Sequence, residues 1–182
     1  MMPIGLARSQ DRVLIDHVHI VDGHGGAPLP GRVLIASERI AQILPEDVAA
    51  PPDVTVIDGE GGYLLPGFID MHAHLMQPRC GVGGTPIPRF DRAVSERMMS
   101  VVVDFGITTV RSPATPTVEG LRLREDLNAG RVRGPHAVAS AELNDDPKLT
   151  DEQLRAVVRD ALSYRPDYFK VYAVFPRRRS RA

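Results

Sequence analysis

The sequence predicts an α/β chain in which a small antiparallel β-sandwich domain precedes an incomplete (β/α)8 TIM barrel. Short β-branched apolar runs fill the stretch up to Ile57, and from Tyr63 onward strand-like and helix-like segments alternate. Consecutive βα units joined by right-handed crossovers build a parallel sheet. About four such units follow Tyr63, whereas a complete eight-unit barrel takes about 250 residues.

The runs of the first part are Val13 to Ile15, Val18 to Val21, Val33 to Ile35, Ile40 to Leu44 and Val54 to Ile57. Branched side chains suit a pleated, half-buried surface, so each run reads as a strand. Turn chemistry separates them at Asp22 to Gly26, Pro28 to Gly31 and Ala49 to Asp53. Residues 1–62 are thus expected to form the β domain, 63–175 the half barrel and 176–182 a basic tail.

Within 63–175, Phe90, Val94, Met98, Val101, Val102 and Phe105 recur at helical spacing before Gly106. This predicts a helix over 89–105 with those residues as its apolar face. A strand at Ile107 to Val110 follows. A helix is expected over 117–129, with Leu121 and Leu127 inward and Gly130 as its stop. Pro135 to Leu143 reads as the third strand. Thr150 and Gln153 form a capping-box pattern ahead of Leu154, Val157, Val158, Ala161 and Leu162, which mark the third helix. Tyr168 to Phe175 is the fourth strand.

Composition narrows the function classes. The 182 residues are 43% hydrophobic, with 16 glycines and 16 prolines spread between the apolar runs as turn punctuation. Setting aside the tail arginines Arg177, Arg178, Arg179 and Arg181 leaves 18 basic residues against 23 acidic ones, a net charge of −5. That balance argues against a nucleic-acid surface. No apolar run approaches the roughly 20 residues of a membrane span. One cysteine, Cys80, precludes an internal disulfide, and the start of the chain lacks a secretory core; a reducing cytoplasm fits best.

The strongest chemical signal is His72-Ala-His74 at the end of a strand-like run. Alternation sends both imidazoles to one side, where they can share a metal ion, and Asp70 lies one step earlier, placed to orient a ligand or to assist in binding. Spacing alone is weak. His17 and His19 have the same spacing without a carboxylate or lysine constellation, and read as ordinary strand residues. Lys170 interrupts the apolar strand Tyr168 to Phe175, where a charged amine is costly to bury. Its plain alternative is a stem packed in the sheet with the ammonium at water.

The surrounding motifs resemble the amidohydrolase superfamily, in the branch of imidazolonepropionases, dihydroorotase-like enzymes and Xaa-Pro dipeptidases. Leu14 to Gly23, Val33 to Ile43, Val56 to Gly59, Leu65-Pro-Gly-Phe-Ile-Asp-Met-His-Ala-His-Leu75, Gly106 to Arg111 and Ala129 to Pro135 carry the resemblance in order. It implies a metal-dependent hydrolase of carbon–nitrogen bonds other than ordinary peptide bonds, such as cyclic amides or N-acyl and dipeptide substrates. It also implies one or two divalent ions, zinc first, held by His72, His74 and Lys170, with Lys170 carboxylated. The expected partner is a small-molecule substrate, with no nucleic acid or membrane; homo-oligomer formation stays open.

The family's remaining ligands, two histidines on strands five and six and a proton-shuttling aspartate on strand eight, have no counterpart in this sequence. The catalytic base is therefore unassigned. His136, at the start of strand three, reads as structural, and Cys80 as a loop thiol. The chain reads as ending in mid-architecture, as a truncated or frameshifted product would, with its own activity in doubt and strand four unpaired at its edge. Two other readings compete with that one: two half barrels pairing into an active dimer, and a non-catalytic binding or scaffold module.

Overall fold

The computed structural model describes residues 12–74, 76, 90–113, 115, 118–143 and 149–171. The chain divides into two compact units, Met1–Pro66 and Gly67–Ala182. Cys80, the basic tail and the strand residues after Val171 lie outside the described residues.

The first unit is a four-stranded sheet of β1 (Arg12–Ile20), β2 (Leu29–Ala36), β3 (Arg39–Leu44) and β4 (Thr55–Leu64), in the order β3-β2-β1-β4. Its core is Leu14, Val18, Val33 and Leu34. The expected antiparallel sandwich is corrected in two respects. Among the described residues the unit has one sheet, not two facing ones, and that sheet is mixed because β4 runs parallel to β1. The loop 21–28 and the two-residue turn Ser37–Glu38 reverse the chain at β1–β2 and β2–β3, whereas the stretch 45–54 crosses to the far edge and restarts in the β1 direction. The two runs read as separate strands before and after Asp16 are one strand with a bulge between Ile15 and Val18. Asp16, nearly buried there, accepts from Arg32 Nε at 2.7 Å and from the His17 amide at 2.8 Å.

The second unit alternates β5 (Phe68–Asp70), α1 (Arg92–Asp104), β6 (Ile107–Ser112), α2 (Val118–Asn128), β7 (His136–Leu143), α3 (Asp151–Ser163) and β8 (Tyr168–Val171). The strands form a parallel sheet in sequence order, β5-β6-β7-β8. The expected βα alternation is seen over four strands and three helices, but it begins at Phe68 and not at Tyr63, because Tyr63 and Leu64 end β4 beside β1. Gly106, with φ +81°, turns the chain from α1 into β6 where a side chain would be strained. Gly67 is required by close approach: a Cβ there would fall 2.0 Å from Thr108 Oγ1.

Helices α1 and α2 pack on one face of this sheet. Met99, Leu121, Leu123 and Leu127 meet Val110, Ala137 and Ala139, with Ala73 and Met76 in the same cluster. Alanines on β7 leave room for α2 to lie close. Asn128 fastens the contact, donating to Ala137 O at 2.9 Å and accepting from Ala137 N at 2.7 Å. Asp126 accepts from Arg92 and Arg131, whose hydrogen bonds hold its carboxyl below the usual carboxylate range.

Two helix faces differ from the periodic pattern. In α1 the buried residues are Ser95 and Met99, while Met98, Val101 and Phe105 are exposed. The apolar stripe is wider than the contact, and the small Ser95 lets the helix settle on its 95–99–102 edge. In α3 the capping box forms as expected, Thr150 Oγ1 accepting from Gln153 N and Gln153 Oε1 from Thr150 N, but no α3 residue is fully buried. Among the described residues no helix is long and apolar enough to cross a membrane.

Candidate metal centre

Parallel sheets present chemistry at the carboxyl ends of their strands, where loops are free to vary around a fixed frame. β5 ends at Asp70, and the chain turns through Met71 and His72. Asp70 Oδ1 accepts from the His72 amide at 2.9 Å, which closes the turn. The Ala73 amide donates to Arg111 O on β6 at 3.0 Å. Asp70 pairs with Val110 of the helix-side core, and Ala73, three residues on, enters the same core, so the turn resets the strand's alternation and leaves His72 and His74 exposed on either side of Ala73.

The two imidazoles meet. His72 Nε2 and His74 Nε2 are 3.0 Å apart, with ring centroids 4.9 Å apart and planes inclined at 60°. Two imidazole nitrogens bound to one tetrahedral zinc at about 2.0–2.1 Å stand about 3.3 Å apart, so the pair needs a shift of only a few tenths of an ångström to hold one. The backbone contacts fix the turn while both rings stay open to solvent. The donor chemistry fits a divalent transition ion. Among the described residues no group of three or more His, Cys, Asp or Glu converges on one point.

His17-Val-His19 shows why spacing alone does not make such a pair. The β1 bulge puts His17 at φ +49°, so that its Nδ1 lies 3.1 Å from Asp58 Oδ1, whereas His19 Nδ1 lies 3.2 Å from Gly61 O. The rings find different partners. The strand is irregular at His17, a departure from the ordinary strand residue expected there.

Lys170 is half-buried on β8, in register with Glu142 of β7. Ala137 and Ala139 face the helices, so alternation puts Glu142, and with it Lys170, on the opposite face. In the sheet order β6 and β7 stand between Lys170 and the histidine-bearing strand. His136 is exposed and opens β7 opposite Thr109.

In the sequence Arg111 stands only as the end of the Gly106 to Arg111 motif. Its guanidinium lies 4.0 Å from the centroid of the Tyr168 ring, and Nη1 lies 3.4 Å from Met71 O. Burial raises the Tyr168 phenol above its usual value, and the Arg111 charge pulls the other way. The available signal is a permanent cation inside the strand Ile107–Ser112, comparable to the charged amine of Lys170 in its strand.

No family model and no curated protein matches the chain. Solved structures do. A putative prolidase from Bifidobacterium longum is 24% identical with a TM-score of 0.72, over 91% of this chain and 42% of its own. A Xaa-Pro dipeptidase with methionine bound in its active site is 22% identical with a TM-score of 0.70, over 88% of this chain and 46% of its own. Phenylurea hydrolase B is 22% identical with a TM-score of 0.70, over 88% of this chain and 45% of its own.

The chain thus spans less than half the length of these structures. The chain shares its fold with part of each of these hydrolase structures.

Proposed function

We propose that the chain carries the N-terminal part of a metal-dependent hydrolase of carbon–nitrogen bonds, built on a (β/α)8 barrel, with His72 and His74 as ligands to one divalent ion. The observation that carries this reading is the 3.0 Å approach of the two Nε2 atoms at the carboxyl end of β5. The fold shared with prolidase, Xaa-Pro dipeptidase and phenylurea hydrolase structures supports the choice of bond. Zinc is the first candidate from the imidazole donors. Lys170 is the next ligand, as a carbamate formed with carbon dioxide, and the substrate is a cyclic amide, an N-acylated amino acid or a dipeptide.

When bound, the ion would supply hydroxide at neutral pH and polarise the scissile carbonyl. Asp70 holds the turn by accepting the His72 amide, and the Ala73 contact to Arg111 O fixes the direction in which both rings leave the chain. These restraints reduce the entropy lost when the imidazoles are immobilised on a ligand.

Metal analysis tests the assignment. The chain, loaded with zinc and desalted, is expected to retain the metal in a fixed ratio, and the His72→Ala, His74→Ala double variant to lose it with its circular dichroism unchanged. Equal retention by the double variant, or none by the parent, removes the proposal.

A further inference from the structure

We infer that Arg111 is a positioning residue for the histidine pair, tying the turn that bears His72 and His74 to strand β8. This rests on the proposed function's reading of the pair as metal ligands. Arg111 holds the turn twice. Its backbone carbonyl accepts the amide of Ala73, the residue between the two histidines, at 3.0 Å, and its guanidinium reaches the carbonyl of Met71, just before them, at 3.4 Å.

The same guanidinium lies on the Tyr168 ring, 4.0 Å from its centroid. Tyr168 stands two residues before Lys170 on β8, with β7 between it and Arg111 in the sheet. One side chain therefore spans from the end of β5 to β8 across the face turned away from the helices. A guanidinium suits this because its plane stacks on an aromatic face while its edge donates to a carbonyl. Among the described residues no carboxylate forms an ion pair with Arg111, and both the Met71 carbonyl and the Tyr168 ring engage its guanidinium. A lysine could engage either one, but lacks the planar fork to engage both.

The test uses zinc affinity of the whole chain, measured by competition with a chromophoric chelator, and amide exchange at Ala73 in the metal-free chain. Arg111→Met removes the charge and the donor but keeps the backbone carbonyl and most of the side-chain volume. The expected result is a roughly 10-fold loss of zinc affinity, the lower end of the range for residues that orient metal ligands. Faster exchange at Ala73 and partial recovery in Arg111→Lys should accompany it. Unchanged affinity and exchange in Arg111→Met would overturn the inference while leaving the histidine assignment standing. A parent chain that binds no zinc would instead remove the reading beneath it, and the exchange data would still report whether Arg111 restrains the turn.

Discussion

Replacing Asp167 with alanine is expected to destabilise the second unit more than any other single surface-accessible change. Its carboxylate makes two connections. Oδ1 accepts from Arg124 Nη1 at 3.0 Å, and Oδ2 accepts from the Ala139 amide at 2.8 Å. Arg124 is only 8% exposed and Ala139 is fully buried. The alanine variant leaves the buried Arg124 guanidinium with only the more distant, exposed Glu125 carboxylate at 3.9 Å, and a buried amide without an acceptor. Arg124 Nη2 keeps the Arg165 carbonyl at 2.9 Å, which offsets part of the loss. Together the effects amount to about 3 to 5 kcal/mol. Denaturant unfolding of Asp167→Ala and Asp167→Asn checks this: the asparagine variant, which can still accept one of the two bonds, should fall between alanine and the parent.

The second large effect belongs to Met99. It is fully buried in the α1–sheet contact, and its Cβ is among the nearest atoms to any side chain added at Gly134. Met99→Ala opens a cavity in a layer that cannot easily collapse, at a cost of roughly 2 to 5 kcal/mol. Met98→Ala should cost less than about 1 kcal/mol, because Met98 is already 39% exposed. Unfolding both variants side by side distinguishes the contact in the structure from the one that periodicity alone suggested.

That pair of methionines shows how far the sequence could be read. The existence of α1 followed from the recurrence of apolar residues and the stop at Gly106, but its buried edge depends on which ridge meets β6 and β7. Ser95, polar in composition and small in volume, concealed that edge. α3 was more legible because its capping box is local chemistry, complete within Thr150 to Gln153. Strand direction was not legible in the first unit. The residues of β4 are equally suited to either direction, and only the course of the chain after β3 decides that it runs with β1.

Within the candidate site the same division holds. Alternation around Ala73 is written in the residues 72–74, and the imidazoles do leave on one side. Identical spacing at His17 and His19 gave no warning of the bulge that separates those rings. The contacts of Arg111 were out of reach because they join residues 40 and 57 positions away along the chain, Met71 and Tyr168. Neither partner is marked by any local pattern.

X-ray absorption at the zinc edge, recorded on the loaded chain, examines the central claim most directly. The predicted spectrum shows nitrogen scatterers at about 2.0–2.1 Å with the outer-ring signature of two imidazoles, both lost in the His72→Ala, His74→Ala variant. A first coordination sphere of oxygen alone, or an imidazole signature that survives the double substitution, would contradict it.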